Sequence, residues 1–378
     1  MPVLPQRKIL PYITQDLEKK MVFLGGPRQI GKTTLAQSLI ENYSDGHPGY
    51  LNWDLAEHRK KIRNREWPSE QNLIVLDEIH KSKGWRNLIK GFYDTLKHSH
   101  KFLITGSARL DHYRKGGDSL LGRYFYYRLG PYTLGELGYS RNNLDLLLEY
   151  GGFPEMLSSK DQRDLRRWHT QRIGRLVKDD LRDLYTVKDL DKLEQMAEEL
   201  PRRVGSPLSM SSIANDLEID FKTSKRWIGI LGSLYYSFLV PPFGSPKIKA
   251  VKKEQKIYLW DWTQIENPGI RFENLVASHL LSYCHFLEDT EGHKMELRYI
   301  RDTNAREVDF VVLKNKKPEF AVEAKFSDSL NLSPHLDYFR KRTNIPKFYQ
   351  VHVGEESRQI DDNLKIIPFM DFCKKYGV

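Results

Sequence analysis

With 378 residues the chain is too long for one comfortable hydrophobic core, and two or three domains are expected. Its 39% hydrophobic and 29% charged residues are those of a soluble globular protein, and the absence of any apolar run of roughly 18 residues excludes a membrane span. A formal net charge of +10 points to an acidic partner, with nucleic acid the first candidate, or else to a basic solvated surface.

The opening MPVLPQRKIL has neither the apolar stretch nor the small-residue cleavage site of a signal peptide. Cys284 and Cys373 lie too far apart for a zinc or disulfide framework. A cytoplasmic protein without a membrane partner is expected. Residues 1–20 carry a short amphipathic stretch that leads into an apolar strand. Strands are expected at Met21–Leu24, Tyr50–Trp53, Leu73–Leu76, Phe102–Thr105 and Tyr124–Leu129, with helical stretches between them. Short, almost purely apolar strands alternating with helices imply a parallel sheet covered on both faces.

Gly26-Pro27-Arg28-Gln29-Ile30-Gly31-Lys32-Thr33, followed by Thr34, fits G-x-x-x-x-G-K-[ST] at every fixed position. The apolar strand precedes it and a helical stretch, Thr34–Ile40, follows. Glycines let backbone N–H groups converge on phosphates, and the helix N-terminus adds favourable partial charge. Lys32 is expected to reach the β- and γ-phosphates of ATP, and the Thr33 hydroxyl to ligate Mg²⁺. The apolar run Leu73–Leu76 then ends in Asp77-Glu78. Asp77 suits a Mg²⁺ held through water, and Glu78 suits a base that orients or deprotonates the attacking water. Thr105 or Ser107, ending the next strand, is a γ-phosphate sensor or simply a polar strand end. Arg123, in Ser119-Leu120-Leu121-Gly122-Arg123, is either a finger acting in trans within a homo-oligomer or a surface ion pair.

The runs GGPRQIGKTTLAQSL, LDEIHK, ITGSARL, SLLGRYFYYRLGPYTLGEL and GGFPEML together resemble a bacterial and archaeal AAA-type ATPase family. Its members carry a C-terminal domain of largely unassigned function. The resemblance spans nearly the whole chain and implies an AAA-like core, a winged-helix middle and a nuclease-like end.

From about Leu134 to Leu200 the pattern is helical, with Asp161–Tyr185 placing apolar residues at helical spacing among Arg and Asp. Residues 209–231 then read as helix-turn-helix: Ser211–Leu217, a turn at Glu218–Asp220, and Lys222–Leu231. Ile228 and Leu231 fall on the buried side of the second helix, and Lys222, Lys225 and Arg226 on the exposed side, where a recognition helix needs phosphate and base contacts. The hairpin Pro246–Trp260 brings Lys247, Lys249, Lys252, Lys253 and Lys256, a wing of the right charge. Winged helices also serve as protein-interaction or lid modules, so DNA is one of two ligand classes for this region.

After Asn267–Gly269 a helix, Arg271–Tyr283, opens a second α/β region with strands at Glu296–Ile300, Glu307–Leu313, Phe320–Glu323 and Phe348–Val353. Asp309 heads one strand, and Glu323-Ala324-Lys325 ends the next. Alternation along a strand puts Glu323 and Lys325 on one face, and a hairpin brings Asp309 beside them. Two carboxylates holding Mg²⁺ or Mn²⁺ beside a lysine suit phosphodiester hydrolysis. This arrangement resembles the PD-(D/E)XK nuclease fold, with Val308-Asp309 replacing proline-aspartate. Glu273 matches the acid often supplied by the first helix, and Gln350, on a later strand, is expected to assist. Similar folds are sometimes kept for binding alone.

The expected α/β protein thus has a P-loop AAA-like parallel-sheet ATPase core (1–135), a helical lid and winged-helix region (136–265) and a C-terminal α/β restriction-endonuclease-like domain (266–378). It would bind and hydrolyse ATP, act on DNA and carry a Mg²⁺-dependent nuclease centre. The alternative is a nucleotide-dependent regulatory or protein-interaction switch whose nuclease-like domain is catalytically silent.

Overall fold

The computed structural model describes residues 4–106, 120–175, 189–244 and 254–378. Ser107, Ser119, Lys247, Lys249, Lys252, Lys253 and the end of the expected Asp161–Tyr185 helix lie outside these. The chain divides into two compact units, Gln6–Gly130 and one made of Met1–Pro5 together with Pro131–Val378.

In the first unit, helix α1 (Leu10–Leu17) leads into strand β1 (Met21–Gly25), which is buried along its whole length. Helix α2 (Lys32–Ser38), β2 (Tyr50–Asn52), α3 (Ala56–Asn64), β3 (Leu73–Asp77), α4 (Trp85–Leu96), β4 (Lys101–Thr105) and β5 (Tyr124–Arg128) follow. The strands form one sheet in the order β2-β3-β4-β1-β5, and every neighbouring pair is parallel. Apolar residues on both strand faces require cover on both sides. On one side, α4 buries Trp85, Ile89 and Phe92, spaced to share a helix face, in a cluster with Phe23, Leu76 and Phe102. Because all strands run the same way, β1, β3 and β4 end at one edge. The register pairs Leu24 with Thr105 and Asp77 with Thr105. Ligand sites of open α/β sheets lie off this C-terminal edge.

The second unit opens with helices α5 (Leu134–Leu137), α6 (Arg141–Tyr150), α7 (Pro154–Ser159), α8 (Gln162–Arg175) and α9 (Leu190–Glu199). Helices α10 (Met210–Asp216) and α11 (Phe221–Ser233) come next, followed by the antiparallel pair β6 (Ser237–Val240) and β7 (Lys256–Leu259). Ser209 caps α10 by accepting from Ser212 N–H, and Asp220 caps α11 by accepting from Thr223 N–H at 2.9 Å. Trp227, Ile228, Ile230 and Leu231 are buried, whereas Lys222, Lys225 and Arg226 are exposed.

Helix α12 (Pro268–Glu291) is longer than the sequence suggested. Asn267 Oδ1 accepts from Gly269 N–H at 2.9 Å and Ile270 N–H at 3.1 Å, so the helix starts earlier, and Gly292 in the left-handed region ends it. Its length serves a six-stranded sheet of β8 (Met295–Arg301), β9 (Glu307–Lys314), β10 (Lys317–Lys325), β11 (Phe348–His352), β12 (Arg358–Gln359) and β13 (Leu364–Pro368). The order is β12-β13-β11-β10-β9-β8, antiparallel from β8 to β10 and parallel from β10 through β11 to β13. Helix α13 (Pro334–Arg340) connects β10 to β11, and α14 (Phe369–Tyr376) closes the chain.

His279 of α12 is locked neutral. Its Nε2 accepts Leu134 N–H at 2.9 Å while Nδ1 donates to the Leu275 carbonyl at 2.9 Å, and burial pulls its pKa down to about 4. Between that value and the unfolded pKa of about 6.5 the unfolded chain binds the extra proton, so stability is full above the window and falls as pH falls through it. The contribution is ~3 kcal/mol. Denaturant unfolding at pH 7 and pH 4 should give a smaller pH-dependent loss for His279→Gln than for the wild type; equal losses would contradict the assignment.

Candidate functional site

The phosphate-binding loop is a backbone problem first. Gly26 sits at φ +145°, where a Cβ would collide with the Leu129 carbonyl, and Gly31 sits at φ +93° as the residue before α2. Both conformations favour glycine. Lys32 opens the helix and is buried, and its ammonium donates to the carbonyls of Gly26 at 2.9 Å and Pro27 at 2.6 Å. The side chain therefore arches over the loop, with Arg28, Gln29 and Thr34 exposed and Ile30 anchored in the core.

Asp77 gathers three hydroxyls. Thr33 Oγ1 donates to Oδ2 at 2.9 Å, Tyr50 OH donates to the same oxygen at 2.6 Å, and Thr105 Oγ1 donates to Oδ1. Thr33 and Asp77 are thus adjacent, as a shared Mg²⁺ requires. Thr105 holds the Asp77 carboxylate. Tyr50 was not singled out from the sequence, because its place beside Asp77 depends on β2 pairing with β3. Burial and the Asp77 charge push the Tyr50 phenol well up, so it remains a donor.

Glu78 follows at φ +58°, a left-handed conformation that strains a residue other than glycine. The turn aims its carboxylate at Lys81 Nζ, 3.2 Å away, and His80 Nε2, 3.5 Å away. Lys81 is itself tied to Asp54 at 2.6 Å. Burial raises the pKa of Glu78 most, Lys81 opposes it and Asp77 adds to it; the net direction is up. A carboxylate so placed is a stronger base than an exposed one.

Arg123 lies elsewhere. Its guanidinium pairs with Asp94 at 2.8 Å. In the parallel register Met21 pairs with Tyr124 and Gly25 with Arg128, which puts Arg123 at the strand-start edge, opposite the loop. At about 3.3 Å per residue that is on the order of 15 Å from the phosphate site of its own chain. Arg128 is the β5 arginine at the loop edge.

The second site lies on β9 and β10. Phe310 pairs with Val322, so one step further sets Asp309 across from Glu323. Asp309 Oδ2 accepts Ala324 N–H at 2.8 Å. Burial, then the Glu323 and Glu273 charges, push the Asp309 carboxyl well above its usual range. Burial likewise raises Glu323, against the pull of Lys325. Lys325 Nζ lies 2.7 Å from Glu323 Oε1, and Ser333 Oγ donates to that oxygen at 3.3 Å. Glu323 Oε2, buried, has no donor among the described residues. Gln350 accepts Ser333 N–H at 2.8 Å and donates to Asn331 O at 2.8 Å, so it fixes the loop before α13.

Glu273 of α12 reaches this cluster, accepting from Tyr258 OH at 2.7 Å and lying 3.3 Å from Lys256 Nζ. Lys256 corrects the sequence reading. It was expected on a basic wing that meets nucleic acid, yet it is 1% exposed and pairs with both Glu273 and Glu307. Burial alone would lower its pKa; the carboxylates of Glu273, Asp309 and Glu307 more than reverse that. Alternation in β7 turns Lys256 and Tyr258 inward together, a pattern legible only once the strand's inner face is known. Among the described residues no three His, Cys, Asp or Glu side chains converge as a ready metal cage. Nor is any helix among them long and apolar enough to cross a membrane.

Comparison with known proteins matches a family model described as an AAA domain to residues 18–138. Two domains of unknown function follow, DUF8612 over 141–263 and DUF4143 over 268–372. An uncharacterized protein of Methanocaldococcus jannaschii is 22% identical, covering 97% of this chain and 87% of its own. An uncharacterized protein of Mycobacterium tuberculosis is 25% identical, covering 92% of this chain and 80% of its own. Among solved structures, the RuvB Holliday junction branch migration motor of Thermotoga maritima aligns with TM-score 0.31 and 17% identity, over 64% of this chain and 90% of that one. That superposition is too loose to bear on function. The AAA match and the parallel sheet with its glycine loop together give the first unit an AAA-type P-loop fold.

Proposed function

We propose that this chain is an AAA-type ATP hydrolase that acts on DNA and carries a divalent-cation-dependent phosphodiester-cleaving centre in its C-terminal region. The observation that carries the ATPase reading is the convergence of Lys32, Thr33, Asp77 and Glu78 at one sheet edge. Lys32 is placed to exchange its two loop carbonyls for phosphate oxygens. Thr33 and Asp77 would hold Mg²⁺, which when bound to ATP neutralises charge on the phosphates. Glu78 orients water and accepts its proton. Phosphate release by the pure protein with ATP should therefore need Mg²⁺; equal release in excess chelator would overturn the reading.

The DNA reading rests on the exposed basic face of α11 beside an antiparallel ribbon, which supports a winged-helix role. Reversing Lys222, Lys225 and Arg226 to Glu should weaken DNA binding and flatten the plot of log affinity against log salt by about 3, since each lost phosphate contact removes ~0.9. Unchanged affinity and slope would remove α11 from the DNA surface.

At the C-terminal centre the donor set fits a hard cation. Asp309 and Glu323 offer oxygens across one strand pair, and Glu323 Oε2 is buried without a donor. When bound, Mg²⁺ or Mn²⁺ would activate water and polarise a phosphate. Lys325 is held by Glu323 where it can steady charge growing on the scissile phosphate.

A further inference from the structure

Lys256 begins a short ribbon strand, yet its ammonium is buried among acids from α12 and β9. It pairs with Glu307, lies 3.3 Å from Glu273 and stands 3.9 Å from Asp309 Oδ1. An ammonium taken out of water is tolerated only where carboxylates surround it. Glu273 and Glu307 have further donors as well: Tyr258 OH at 2.7 Å for the first and Arg301 at 3.0 Å for the second. The other side of the cluster differs. There Lys325 and Ser333 both use Glu323 Oε1, and the buried Oε2 is left over.

We propose that Lys256 is the resident cation of this cluster, standing where a second divalent ion would otherwise bind, so that the centre takes a single Mg²⁺ or Mn²⁺ between Asp309 and Glu323. This rests on the phosphodiester-cleaving reading above. Charge and geometry carry it. The carboxylates of Glu273, Glu307, Asp309 and Glu323 already face three cationic groups, those of Lys256, Lys325 and Arg301. These leave one net negative charge, which a single divalent ion already more than offsets. A second would sit against a buried ammonium, where water and salt screen repulsion poorly. Glu273 and Glu307 are both engaged by Lys256. Lys256 therefore fixes the number of ions, and through Glu273 it ties the ribbon to the first helix of the nuclease-like region.

The test counts ions on the full, nucleotide-free chain by Mn²⁺ titration calorimetry, with free Mn²⁺ read in parallel by electron paramagnetic resonance. The wild type should bind one ion that is lost in Asp309→Asn. Lys256→Met, which keeps length and removes charge, should bind two. Lys256→Met leaves acids unpaired; where it fails to fold, Lys256→Gln, which removes the charge but still donates to the acids, serves in its place and should also bind two. Two ions on the wild type would overturn the proposal while leaving the cleaving centre standing. So would one ion, at unchanged affinity, on folded Lys256 variants. A wild type that binds none while Lys256→Met binds one would mean that Lys256 fills the only cation position, which contradicts a one-ion centre. No ion on any variant would remove the centre itself and this inference with it.

Discussion

Glu78→Gln is expected to bind ATP as the wild type does while turnover falls by about 10²–10⁴-fold, the range a positioned general base contributes. The substitution keeps the shape of the side chain and removes its ability to accept a proton. Lys32, Thr33 and Asp77 form their contacts without Glu78, so nucleotide affinity should hold. Glutamine loses the ion pair with Lys81, but Lys81 keeps Asp54 at 2.6 Å, and the turn at φ +58° is set by the backbone after β3. Fluorescent-nucleotide titration and phosphate release, run on the same preparation, separate the two effects. Parental turnover in Glu78→Gln would make another group the base.

Asp309→Ala should abolish Mg²⁺-dependent cleavage of DNA while ATP turnover stays at the wild-type rate. Asp309 is one of the two oxygen donors facing each other across β9 and β10, and alanine leaves Glu323 alone to hold an ion. The P-loop and its acids belong to the other compact unit. Labelled single-stranded and duplex DNA, with Mg²⁺ or Mn²⁺, compared for wild type, Asp309→Ala and Lys325→Ala, gives the reading. No cleavage by the wild type on any substrate would make the region a binding module, as in the regulatory-switch alternative. Cleavage persisting in both variants would place the activity elsewhere.

The glycine loop and the strand ending in Asp77-Glu78 were legible because each fixed position has a local chemical reason that needs no tertiary partner. The apolar strands of the first unit were legible for a similar reason: both faces are buried, so the runs are continuous and short. Sequence was silent where position depends on pairing. Tyr50 joins Asp77 only because β2 lies beside β3. Arg123 falls at the edge opposite the loop only because β5 runs parallel to β1. Lys256 read as one more lysine in a basic hairpin, since charge along a chain does not reveal which strand face meets three acids. Strand β13 escaped for want of contrast, alternating between buried and half-buried residues.

An ATPase whose work is done on DNA is tested by ATP turnover of the pure full chain with Mg²⁺, alone and with single-stranded, duplex or branched DNA. Turnover should rise with at least one of these DNAs and lose that rise when Lys222, Lys225 and Arg226 are reversed to Glu. Turnover indifferent to every DNA, yet raised by a protein partner, would contradict it.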